Sequence, residues 1–113
     1  MLTIDALRDY GANVDEGLSR CMDNEGFYLK MVNMVFADTS LEKLKAALAA
    51  NDLDAAFEAA HAFKGVTGNL SLTPLNEPVV EITELLRSRT EMDFTDLMQK
   101  IDDQWNRLVA RKE

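Results

Sequence analysis

The stretch Leu53-Asp54-Ala55-Ala56-Phe57-Glu58-Ala59-Ala60-His61-Ala62-Phe63-Lys64-Gly65-Val66-Thr67-Gly68-Asn69-Leu70 decides how this 113-residue chain is read. At about 100° per residue, Leu53, Ala56, Phe57, Ala60, Phe63, Thr67 and Leu70 fall on one stripe centred near Ala60, which predicts an amphipathic helix. Asn51-Asp52 supplies its cap. His61 lies at the edge of the apolar face. Gly65 and Gly68, four and seven residues further on, project to the same side as His61, and Lys64 lies between them and the core.

The same spacing of three and four recurs on both sides of this helix. Downstream, Thr73-Pro74 places a cap before a proline in the first turn of a helix that runs to about Arg89. Pro78 removes a backbone donor one turn inside it, so a local distortion is expected there, or a start delayed to Asn76. Asp93 opens a last helix with Phe94, Leu97, Met98, Ile101, Trp105, Leu108 and Val109 on one stripe. Upstream, Thr39-Ser40-Leu41-Glu42 reads as a capping box. It starts a helix to about Ala50 with Leu41, Leu44, Ala47 and Leu48 inward, either separate from the preceding helix or joined to it through a kink. That preceding helix, Glu25 to Ala37, has its apolar positions at Phe27, Tyr28, Met31, Met34, Val35 and Ala37. Leu2 to Tyr10, stopped by Gly11 and Asn13, and Val14 to Cys21 read as two short helices. The expectation is an all-α fold: an antiparallel four-helix bundle with short additional N-terminal helices, residues 1–113 forming one domain.

Composition narrows the function. Lys and Arg number 12 against 20 Asp and Glu, a net charge of −8. That disfavours nucleic-acid backbones and anionic membrane surfaces. The hydrophobic fraction of 47% is enough for one core, and a complete bundle that buries its own core is expected to be a monomer. Cys21 and His61 are the sole cysteine and histidine. An internal disulfide, a thiolate zinc site and any chemistry needing two imidazoles from one chain are excluded. Residues 1–20 carry Asp5, Arg8, Asp9, Asp15 and Glu16 and hold no apolar run of the secretory kind. Charges interrupt every apolar stretch before membrane-spanning length. The expected compartment is the cytoplasm.

Two glycines inside a helix are unfavourable by roughly 1 kcal/mol each against Ala, and this sequence uses alanine freely. One reason for them is close approach: without side chains at 65 and 68, another surface can reach the imidazole. Lys64 adds a cation on an acidic chain. An imidazole has an unperturbed pKa of about 6.5 and is nucleophilic near neutral pH. A phosphoryl group suits this arrangement, its oxygens offset by the lysine. A lone histidine beside an apolar stripe is usually a boundary residue. Tight helix packing would explain glycines that point inward, but both project away from the stripe centre. Thr67 reads as a core-edge residue bonded to its own helix. Glu58 and His61 have the E-x-x-H spacing of di-iron bundles, which need two copies where this chain has one histidine. A haem held by His61 and a methionine is the remaining cofactor reading, but Met22, Met31, Met34, Met92 and Met98 suit irregular core gaps. Trp105 and Phe94 read as core.

The run Ala60-His61-Ala62-Phe63-Lys64-Gly65-Val66-Thr67-Gly68-Asn69-Leu70 resembles the motif of histidine-containing phosphotransfer (HPt) domains, roughly A-H-x-L-K-G-x-S-x-x-L-G. The resemblance covers most of the chain, and the length fits a stand-alone member. Phe63 replaces a leucine, Thr67 a serine, and Ser71 stands where glycine is common, which suggests a different helix end. The resemblance implies that His61 accepts a phosphoryl group from an aspartyl phosphate on one receiver domain, of a response regulator or hybrid kinase, and passes it to another. It implies Lys64 as the phosphoryl-stabilising residue, Gly65 and Gly68 as the access and docking positions, and Thr83 and Arg87 of the next helix as polar neighbours of the histidine. No cofactor or metal is implied in this chain, since Mg²⁺ belongs to the receiver. The chain also lacks a phosphate-cradling glycine loop, so a carrier rather than an enzyme is expected. Phe57 and Leu72 are candidate apolar docking residues. The alternative is a helical interaction module that binds and regulates a response regulator or kinase without phosphoryl chemistry. The two differ in whether replacing His61 matters while binding persists.

Overall fold

In the computed structural model, which describes residues 1–112, seven helices form and no strand occurs among those residues. They are α1 (Ile4–Tyr10), α2 (Val14–Arg20), α3 (Glu25–Val35), α4 (Ser40–Ala49), α5 (Leu53–Asn69), α6 (Thr73–Arg87) and α7 (Thr95–Ala110). Helix α5 packs between α4 and α6, and α6 packs on α7. The connections 50–52 and 70–72 are too short for anything but reversal, so neighbours run antiparallel. Helix α7 reaches back to α4, where Lys45 Nζ meets Asp102 Oδ1 at 2.6 Å. These four helices make the expected bundle, and α1 to α3 pack on it.

The core is apolar and interdigitated: Leu44, Phe63, Leu75, Ile82, Leu86, Ile101 and Leu108 are fully buried. Trp105 meets the rings of Phe63 and Phe36, tying α7 to α5 and to the segment after α3. The Tyr10 hydroxyl donates to the Gln104 carbonyl and fastens α1 to α7. Helix α2 comes so close to α3 that a Cβ on Gly17 would lie 2.5 Å from Tyr28 Cε1.

Five local expectations are corrected. No capping box forms at Thr39, whose side chain accepts no cap hydrogen bond. Asp38 Oδ1 takes the Ser40 N–H instead, at 2.7 Å, and the chain breaks between α3 and α4 rather than kinking through. Thr73 is the first helical residue of α6, with Leu72 in the cap position; its hydroxyl donates weakly back to the Ser71 carbonyl at 3.4 Å. Pro78 neither delays nor interrupts α6. It lies on the open groove facing α7 with Pro74, Glu77 and Lys100, where the acceptor it leaves unpaired can be hydrated. Helix α6 ends at Arg87, because Arg89 has turned left-handed with φ 51°. The last helix starts at Thr95 with Phe94 in the cap position; Asp93, one residue earlier, accepts from Thr95 N at 2.9 Å and from the Thr95 hydroxyl.

Candidate functional site

Helix α5 starts on the Asp52 carboxylate, which accepts from Ala55 N at 3.0 Å. Its buried stripe, Ala56, Ala59, Ala60, Phe63 and Thr67, faces the bundle and turns His61 outward to the exposed surface. The imidazole is stacked on Phe57, one turn earlier, with ring centroids 5.6 Å apart and planes at 8°. No hydrogen bond reaches either ring nitrogen from any described residue, so both edges of the ring are open. Lys64 is half-buried one turn further on and forms no ion pair with any described residue.

A second element supplies charge. Arg87 at the end of α6 and Arg89 in the turn after it place their guanidinium carbons 5.2 and 4.9 Å from the centre of the Phe57 ring. Arg87 Nε also meets Glu84 Oε2 at 3.2 Å. Arg89 Nε donates to Asp54 Oδ1 at 2.6 Å and its Nη1 to the Leu86 carbonyl at 2.8 Å. Arg87 and Arg89, each paired with a carboxylate, thus flank the Phe57 ring on which His61 stacks, while Lys64 on α5 makes no ion pair with any described residue.

The two glycines differ. A Cβ at Gly65 would meet nothing within 4 Å, so the surface beside His61 is bare. Beyond it lies an apolar groove of about 390 Å³ between α3 and α5, lined by Met31, Met34, Val35, Ala62 and Val66 among others. Met34 and, further along, Phe27 are exposed. Gly68 does not share this opening. A Cβ there would meet Asn76 Oδ1 on α6 at 3.4 Å, and its carbonyl is taken by Arg20 Nη1 at 2.8 Å. Gly68 lies where α2 and α6 converge on the end of α5, and a side chain there would be in ordinary contact with Asn76.

Two further expectations fail. Thr83 is fully buried, and its hydroxyl donates to the Val79 carbonyl at 2.6 Å, inside its own helix. Leu72 is fully buried and cannot dock a partner. Phe57 is half-buried at the site itself. Ser71 keeps the turn that glycine would make, with φ 54°, and its hydroxyl is held by Glu16 Oε1 at 3.0 Å. Thr67 bonds its own helix at Phe63 O, 3.1 Å, and also Asn76 Oδ1 at 2.8 Å. Arg89 had no sequence signal: it is 35 residues from Asp54 and arrives through a left-handed turn.

Behind the groove, the Tyr28 hydroxyl donates to the Leu70 carbonyl at 2.8 Å. Burial, and secondarily the Cys21 thiol, push its phenol up to about 12. Among the described residues no three His, Cys, Asp or Glu side chains gather where they could hold a metal ion, and Glu58 stands with His61 alone. No described helix is long and apolar enough to cross a membrane. The arrangement presents one exposed imidazole with no hydrogen bond from any described residue, beside the bare backbone of Gly65 and one turn from the Lys64 ammonium. That suits a nucleophile serving an anionic electrophile delivered by a large partner.

A sequence model of the Hpt domain matches residues 34–111, which span α4 to α7 and leave α1, α2 and nearly all of α3 outside. No curated protein and no solved structure matches the chain.

Proposed function

The chain belongs to the Hpt domain family, and on that premise we propose that it is a phosphorelay intermediate whose His61 carries a phosphoryl group between receiver-domain aspartates. Hpt domains are phosphotransfer carriers that work with receiver domains. The observation that carries the residue assignment is an exposed imidazole next to Gly65, where a Cβ would touch nothing within 4 Å.

In the step, the lone-pair nitrogen of neutral His61 attacks phosphorus. The P–O bond to the receiver aspartate breaks, its electron pair leaves with the carboxylate, and an N–P bond forms; the other ring nitrogen keeps its proton. The reverse step on a second receiver regenerates the imidazole. Lys64 offsets charge on the phosphoryl oxygens, and Gly65 lets the receiver bring its aspartate in. The groove of Met31, Met34, Ala62 and Val66 gives the receiver an apolar seat, and flexible methionines suit more than one partner. Part of that wall lies before residue 34, outside the shared family region, so partner choice is expected to reside there. The carrier acts as a single domain in the cytoplasm, without kinase or hydrolase activity of its own.

The test is a relay assay with receiver domains pre-charged with labelled phosphate. Label is expected to pass to the wild type and on to a second receiver. Retention of the fold by His61→Gln with full label uptake would refute the assignment.

A further inference from the structure

An exposed histidine on a helix ordinarily turns freely about its side-chain torsions. Here nothing hydrogen-bonded holds the ring, and yet it lies parallel to a neighbour. We propose that Phe57 is a positioning residue for phosphoryl transfer: its ring holds the His61 imidazole in one orientation, and Arg89, anchored on Asp54, holds Phe57. This inference rests on the reading of His61 as the phosphoryl acceptor.

The observations fit together from the backbone upward. Phe57 and His61 are four residues apart on α5, the spacing at which helical side chains meet. The planes are within 8° of parallel and the centroids 5.6 Å apart, an offset stack. Phe57 packs partly against the core, so it is a fixed platform rather than a second mobile ring. Arg89 is fixed as well, by the Asp54 carboxylate at 2.6 Å and by the carbonyls of Leu86 at 2.8 Å and Arg87 at 3.3 Å. With its guanidinium carbon 4.9 Å from the Phe57 centroid, it restrains that ring from the turn after α6.

The geometry also leaves the chemistry open. The imidazole lone pair lies in the ring plane. A parallel stack covers a face of the ring and no edge, so it restrains rotation without blocking attack. In-line displacement demands that the lone pair point along the P–O bond to be broken. When the donor is a docked receiver, the direction of that bond is set by the docking surface, and the ring must already point the right way. A small free phosphodonor can approach along whatever direction the ring presents. The stack should therefore matter to receivers and not to small donors. Stacks of this class hold their geometry by a factor of about 2 to 10.

The test compares wild type, Phe57→Leu and Phe57→Tyr with two donors, a phosphorylated receiver domain at saturating concentration and phosphoramidate. In the latter the P–N bond breaks and ammonia leaves as the bond to His61 forms. Phe57→Leu is expected to accept from the receiver about 2- to 10-fold more slowly, with an unchanged half-saturating concentration and an unchanged phosphoramidate rate. Phe57→Tyr is expected to restore the receiver rate. Because the chain has one histidine, its ring protons are unambiguous in NMR; the leucine variant should lose the ring-current displacement that the wild type shows. Equal receiver rates in wild type and Phe57→Leu would overturn the inference while leaving His61 as acceptor. An equal loss with both donors, or wild-type ring protons with no such displacement, would also overturn it. A wild type labelled by phosphoramidate but by no receiver would overturn the phosphorelay reading, and the inference with it.

Discussion

Gly65 offers a perturbation whose effects on stability and on function have opposite signs. It lies in the interior of α5, where glycine is about 1 kcal/mol worse than alanine. A methyl group there would touch nothing within 4 Å, so no clash offsets the gain in helix propensity. Gly65→Ala is therefore expected to stabilise the fold by about 1 kcal/mol, on the order of 5 °C in Tm. Gly65→Gln should be at least as stable as the wild type, since glutamine is also a good helix former. Its side chain would, however, stand in the open surface beside His61. Transfer from a docked receiver is expected to fall about tenfold or more, equivalent to about 1.4 kcal/mol, with alanine intermediate. Urea or thermal unfolding gives the first quantity, and single-turnover transfer from a labelled receiver gives the second. A glutamine variant that transfers at the wild-type rate would refute the access argument. An alanine variant that unfolds earlier would show that the fold itself needs the glycine.

Gly17→Ala is the opposite case: its Cβ would fall 2.5 Å from Tyr28 Cε1, and overpacking against a buried ring should destabilise by about 1–3 kcal/mol in urea titrations. Stability should also fall in alkali. The Tyr28 phenol is raised in the fold from 10.0 to about 12, so its contribution is complete below pH 10 and is lost as pH rises from there through 12. Tyr28→Phe should lessen that alkaline slope, the remainder coming from Tyr10, whose phenol burial also raises, while losing about 1 kcal/mol at neutral pH with the hydrogen bond to Leu70. Met34, 58% exposed, can be changed to Glu with less than about 0.5 kcal/mol effect on folding; receiver binding by calorimetry should weaken about tenfold.

Much of this architecture is legible in the sequence because helix periodicity is a local property. The stripe through Ala56, Ala60, Phe63 and Thr67 sets which face of α5 is buried, and with it the exposure of His61. What failed depended on competition or on distance. Asp38 outcompetes Thr39 for the start of α4, and both are plausible caps by residue type alone. Gly65 and Gly68 look alike on a helical projection; Asn76 on α6 separates them, and no projection of a single helix contains it. Thr83 and Leu72 have suitable chemistry, but their burial is decided by how α6 sits on its neighbours. Phe57 was readable as a contact of His61 by spacing, yet it also lies on the apolar stripe, and the structure gives it both roles. Arg89 reaches Asp54 only because the chain turns left-handed after α6, which no residue preference there announces.

The central claim is that His61 is the atom-level carrier. The most direct measurement is phosphorus NMR of the protein after charging by a receiver, together with the chemical stability of the bond in wild type and His61→Gln. The account predicts one phosphohistidine signal, acid-labile and base-stable, in the wild type, and none in the folded variant. A signal that survives in His61→Gln, or a phosphoryl group on the wild type with the base lability of an acyl phosphate, would contradict it.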